Sequence, residues 1–197
     1  MLRCLSRLFL GLPLFFSACG YKNVEIRDYW VYLDTDDASI AKETRRLVYY
    51  YNQEIGLEAL KITDKKENAN SAMIWTSHLS DAGGKIGYGR WESRTEQDSK
   101  FISVLGQRPT RTVNYSMDVE FDREFFVERM SQAKTSAQWQ ELFVLFCHEV
   151  GHGLTLEHDP DPKNVMYKYI EGADGVKFTE YFSRARGFFA GPGKAEP

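Results

Sequence analysis

Cysteine, proline and uninterrupted apolar stretches are all scarce in this sequence, and there is no surplus of positive charge. Three cysteines and six prolines occur in 197 residues. Two of the cysteines, Cys4 and Cys19, lie near the amino terminus, so no disulfide framework is available and the core must come from packing. Lysines and arginines number 25 against 28 aspartates and glutamates, a net charge of −3, which leaves no basic footprint for nucleic acid. The longest apolar run, residues 8–16, is broken by Gly11 and Pro13 and is too short for a permanent membrane span. No internal repeat or long low-complexity tract is present. Histidine is scarce as well, at four residues, and three of the four lie between positions 148 and 158.

That stretch reads His148-Glu149-Val150-Gly151-His152-Gly153-Leu154-Thr155-Leu156-Glu157-His158. On a helix His148 and His152 are about 40° apart around the axis, so both rings point the same way. This is the spacing for two nitrogen ligands on one zinc ion, with Glu149 placed to reach a water that the metal activates. His158 cannot share that face on a continuous helix. It joins only if the helix ends near Gly153 and the chain turns back, which gives three imidazoles and one open coordination position, as in catalytic zinc sites. A chance occurrence of all three histidines with the glutamate is roughly one in ten thousand for a chain of this length. The same helix carries an apolar stripe of Trp139, Leu142, Phe143, Phe146 and Val150, with the histidines on other sides of the cylinder.

Three histidines at spacings of four and six with a downstream methionine resemble the signature of the metzincin zinc proteases. Asn164-Val165-Met166-Tyr167 supplies the methionine, and the His158-Asp159 pair with Val-Met-Tyr is most similar to the matrixin-like branch. The resemblance implies an α+β zincin domain that binds Zn2+ through His148, His152 and His158. It also implies Glu149 as general base, Met166 on a tight turn beneath the metal, and Tyr169 lining the pocket for a substrate side chain. Tyr167 is not expected to be a ligand, because the tyrosine ligand of related enzymes stands two residues after the methionine, where this chain has Lys168. Two departures from the family pattern stand out. Lys168 replaces a usual proline. Thr155 replaces a glycine at the turn between the second and third histidines, where a β-branched residue at positive φ is strained unless Gly153 takes over part of the turn. In related enzymes the region around residues 80–89 holds structural calcium, for which Asp81 is a candidate ligand.

Residues 1–18 read as a targeting segment, with Arg3 and Arg7 ahead of the apolar run. Phe16-Ser17-Ala18-Cys19 resembles a bacterial lipobox, in which Cys19 becomes the lipid-modified mature terminus. Residues 19–25 then form a short tether, 26–190 the catalytic domain and 191–197 a loose tail. A bacterial cell-envelope location follows as an expectation, anchored to the membrane through the lipid and facing the periplasm or exterior. Gly20 lacks the aspartate associated with inner-membrane retention, so the outer membrane is preferred. Too few residues separate Cys19 from the first strand for an inhibitory propeptide. Cys147 falls in an apolar run and is expected to be a small buried thiol.

Within the domain, residues 29–33 read as a strand and Asp34 to Asp37 as helix-capping positions. A helix follows with Ile40, Thr44, Leu47, Val48, Tyr51 and Ile55 on one face, ending at Gly56. Residues 60–63, 72–77, 101–106 and 113–121 are further strand candidates. The glycine-rich stretch 80–89 reads as a surface loop leading to an edge strand, and His78 as a solvated or hydrogen-bonded side chain. Residues 122–130 read as a short helical segment, 135–138 as a capping box opening the zinc helix over 136–153, and 179–189 as a final helix. The expected fold is a twisted mixed sheet, mostly parallel, with two long helices and a carboxy-terminal helix.

The function expected from this reading is a monomeric zinc endopeptidase acting on peptides or proteins. An alternative is a lipid-anchored binding or adhesion protein with a retained but weakly active metal site, to which Thr155 and Lys168 point. A zinc hydrolase of cell-wall amide bonds is a third.

Overall fold

A computed structural model describes residues 22–77, 79, 86–97, 110–130, 133–169 and 172–191. The targeting segment, Cys19, His78, Asp81, the strand candidate 101–106 and all of the tail beyond Gly191 lie outside the described residues.

Six strands form one sheet. In chain order they are β1 (Lys22–Ile26), β2 (Tyr29–Asp34), β3 (Leu60–Thr63), β4 (Ser71–Thr76), β5 (Gly87–Gln97) and β6 (Thr110–Asp122). The order across the sheet is β3-β2-β4-β6-β5, and β1 pairs with the first half of β6 on the same edge that β4 uses further along. All pairings are parallel except β5 with β6, which runs antiparallel from Gly87↔Phe121 to Gln97↔Arg111. The mixed, mostly parallel sheet expected from the sequence is therefore present, with β5 at its edge. One expectation is corrected. Residues 22–26 fall mostly in the stretch read as a tether, yet they form a strand, because β6 is 13 residues long and β4 covers only its second half.

Helix α1 (Ala38–Ile55) crosses from β2 to β3. Asp37 caps it by accepting from the Ser39 and Ile40 N–H groups, and Gly56 ends it at φ +76. Ile40, Leu47, Val48, Tyr51 and Ile55 are buried in one core cluster with Tyr29, Val31 and Leu33 of β2 and Met117, Val119 and Phe121 of β6. Of the Tyr49-Tyr50-Tyr51 run, Tyr51 is in the core and Tyr49 is exposed. Glu43 is also buried; its carboxylate accepts from the Trp139 indole N–H at 2.7 Å and pairs with Arg46 at 3.0 Å.

Helix α2 (Arg123–Arg129) is capped by Asp122, which accepts from the Phe125 N–H at 2.9 Å. Helix α3 (Ala137–Gly153) opens at Ser136, whose hydroxyl accepts from the Trp139 N–H, so the cap lies one residue beyond the expected Thr135. From Leu142 to Gly151 every residue of α3 is buried, including the histidine side expected to face away from the core. Tertiary cover from β5 and from residues 164–166 accounts for this. Helix α4 (Phe178–Ala190) packs beside α1 and α3. Its Tyr181 hydroxyl donates to the Cys147 carbonyl at 2.5 Å. The Cys147 thiol is buried and free, and burial holds its pKa well above the ordinary value. Among the described residues no helix is long and apolar enough to cross a membrane.

Candidate metal centre

One turn of α3 separates His148 from His152, and their Nε2 atoms come to 3.2 Å. The helix then stops. The Thr155 N–H donates to the His152 carbonyl at 3.0 Å and the Leu156 N–H to the Gly151 carbonyl at 2.9 Å. These paired bonds close a left-handed helix terminus in which Thr155 itself takes φ +65, the only non-glycine residue with positive φ among the described residues. The strain anticipated at Thr155 is thus accepted by Thr155 rather than passed to Gly153, which remains helical. The turn brings His158 Nε2 to 3.2 Å from His152 Nε2, and ligand nitrogens of all three histidines lie within 4.8 Å of one another.

The chemistry of these donors fits a zinc ion. His148 Nδ1 lies 2.8 Å from the Val165 carbonyl, and His152 Nδ1 lies 2.9 Å from the Leu156 carbonyl. A carbonyl can only accept, so each Nδ1 carries the proton and each Nε2 presents a lone pair. Lone pairs converging in this way repel unless a cation lies between them. Tetrahedral zinc–imidazole bonds would set the nitrogens about 3.3 Å apart, close to the observed spacing. Burial lowers the His148 pKa to about 4, outweighing the Val165 hydrogen bond, and lowers that of His152. Both rings are therefore in the neutral, ligating form at ordinary pH.

Glu149 is buried beside His148, and its position depends on β5. A β-carbon at Gly87 would lie 2.4 Å from Glu149 Oε1, and one at Gly89 would lie 2.1 Å from the Glu149 carbonyl oxygen. The two glycines, two residues apart on one strand, let β5 pass directly against the ligand helix. Both glycines belong to the strand and not to the surface loop expected over residues 80–89. Their alternation ahead of Trp91 was the available signal for close backbone approach.

Met166 is fully buried, with its sulfur where a β-carbon on Gly151 would fall, at 2.4 Å. The Asn164 side chain accepts from the Met166 N–H at 2.9 Å, the Tyr167 N–H donates to the Asn164 carbonyl, and the Asp159 N–H donates to the Met166 carbonyl. The same turn carries the Val165 carbonyl that orients His148. The orienting role of the Val165 and Leu156 carbonyls is not legible in the sequence, because both act through backbone oxygens. Tyr169 is 56 % exposed, with its ring 5.9 Å from that of Tyr167. A cavity of about 590 Å³ adjoins His152 and His158 between residues 89–91 and 155–158, and Tyr169 is not among its walls.

The family model for the matrixins matches residues 39–181. No curated protein matches the chain. Because the matched span takes in most of the sequence, from the first helix through the ligand helix and both turns that complete the histidine cluster, the chain belongs to the matrixin family.

Proposed function

We propose that the protein is a zinc-dependent endopeptidase in which Glu149 is the general base. The observation that carries this reading is the convergence of three imidazole nitrogens, two from α3 and one from the turn after it, with the buried Glu149 directly following the first ligand in the chain. A zinc ion bound there lowers the pKa of water and polarises a substrate carbonyl. His148 and His152, fixed by the Val165 and Leu156 carbonyls, hold their Nε2 lone pairs in place, and His158 closes the set from the turn. Glu149 accepts a proton on a carboxylate oxygen as water attacks the peptide carbonyl, then returns it to the departing amine nitrogen. The substrate backbone lies extended along β5, which has no second strand partner among the described residues. Tyr169 is proposed to border the pocket for a side chain near the scissile bond.

The cellular setting is part of the same proposal. Cys19, in Phe16-Ser17-Ala18-Cys19, is the proposed lipidation site, and the domain acts close to a bacterial envelope membrane.

The test is a peptide-cleavage profile of the zinc-loaded protein beside its Glu149→Ala variant. The variant should keep zinc and lose hydrolysis. Undiminished cleavage by the variant would refute the base assignment. Full zinc content without cleavage of any peptide by the parent would favour the binding-protein reading, to which Lys168 still points.

A further inference from the structure

The cavity beside the histidines has a chemistry that the proposed hydrolysis does not use. Trp91 on β5 is 45 % exposed, and its ring is braced against Tyr115 at 6.3 Å between centroids. Leu156 gives an apolar wall, and Glu157 contributes an exposed carboxylate that has no cation paired with it among the described residues. Arg90 also borders the cavity, but its guanidinium is engaged by Asp118 at 2.9 Å and Glu92 at 3.2 Å, so it does not neutralise Glu157.

We propose that this cavity is a subsite for a basic side chain of the peptide substrate, arginine in particular. The inference rests on the peptidase reading. A guanidinium is planar and weakly hydrated, so it stacks on an indole face while pairing with a carboxylate. An acidic side chain would instead meet Glu157, and a purely aliphatic one would strip water from that carboxylate without replacing the contact. Position along the substrate follows from β5. Gly87 lies at the Glu149 carboxylate and Trp91 lies four residues further along, about 13 Å at the strand rise. A peptide lying along β5 with its scissile bond at Glu149 therefore places the basic residue about four positions from that bond, on one side only.

A positional-scanning library of decapeptides tests this in two ways: cleavage by the zinc-loaded protein, and affinity selection on the zinc-loaded Glu149→Gln variant. Arginine should be selected over its neutral isostere citrulline by roughly 5- to 20-fold at a single position, and glutamate should be rejected there. Glu157→Gln and Trp91→Ala should each remove most of that selection while leaving zinc content unchanged, Glu157→Gln should leave thermal unfolding unchanged as well, and Glu157→Lys should invert the selection towards glutamate. Selection that survives Glu157→Gln, or the absence of any arginine-selective position, overturns the subsite. Cleavage without basic selection would leave the peptidase reading standing and remove the subsite. Arginine-selective binding without cleavage by the parent would keep the subsite and remove the peptidase reading. Neither binding nor cleavage would overturn both.

Discussion

Gly87 and Glu149 are in such close contact that a methyl group on the glycine would overlap the carboxylate, at 2.4 Å from Oε1 and 2.7 Å from Cδ. An edge strand and a ligand helix thus share a surface with no room for a side chain between them. Gly87→Ala should push the flexible end of Glu149 aside and leave the backbone alone. The expected outcome is about a tenfold or larger fall in kcat, with zinc content retained and little change in unfolding temperature. Gly89→Ala differs in kind, because its β-carbon meets the Glu149 backbone carbonyl at 2.1 Å. Thermal unfolding should show it destabilised by about 1–3 kcal/mol. Equal effects of the two variants on stability would contradict this division.

Thr155 holds the left-handed position of the turn that delivers His158. Its φ of +65 costs a β-branched residue about 1–2 kcal/mol, part of which a glycine would return as unfolded-state entropy. Thr155→Gly should therefore raise the denaturant midpoint by the equivalent of about 1 kcal/mol and bind zinc at least as tightly. A loss of stability would show that the threonine makes a contact worth more than the strain.

Protonation of the ligands gives a pH dependence of defined sign. In zinc-free protein, burial holds the His148 pKa at about 4 against an ordinary 6.5, and that of His152 is lowered as well. The unfolded chain takes up protons at these positions before the folded one does. Their contribution to stability is therefore complete above pH 6.5 and is lost as pH falls through about 4, roughly 3 kcal/mol for His148 over that window. Urea unfolding of chelator-treated protein at several pH values checks this. A midpoint that holds steady from pH 6.5 to 4 would contradict it.

Asn164 is buried, and its side chain shapes the turn whose next residue, Val165, orients His148. Asn164→Ala leaves the Met166 N–H without its acceptor and should cost about 1–3 kcal/mol of stability. Through His148 it should also weaken zinc binding by about tenfold or more, as measured by competition with a chromogenic chelator. Unchanged zinc affinity would separate the turn from the metal centre.

Periodicity and spacing were enough to place much of this fold. The buried face of α1 was readable because Ile40, Leu47, Val48, Tyr51 and Ile55 repeat at helical intervals and Gly56 ends them. His148 and His152 were readable for the same reason. Features that depend on distant partners were not. Glu43 looks like a surface residue on its helix, yet the Trp139 indole from α3 draws it inside. Gly87 and Gly89 look like loop residues until α3 is laid across them. Strand β1 is not legible in the sequence because its ladder is made with residues almost 90 positions later. The turn through Thr155 was correctly expected to be the difficult step, but local rules favour glycine at positive φ and so could not say which residue would bear it.

The most direct test of the account is zinc K-edge X-ray absorption on the purified protein and on His158→Ala. One zinc per chain is expected, with three imidazole nitrogens at about 2.0–2.1 Å and one exchangeable light-atom ligand, and one imidazole lost in the variant. A fourth permanent protein ligand, or an imidazole count unchanged by His158→Ala, would contradict the proposed centre.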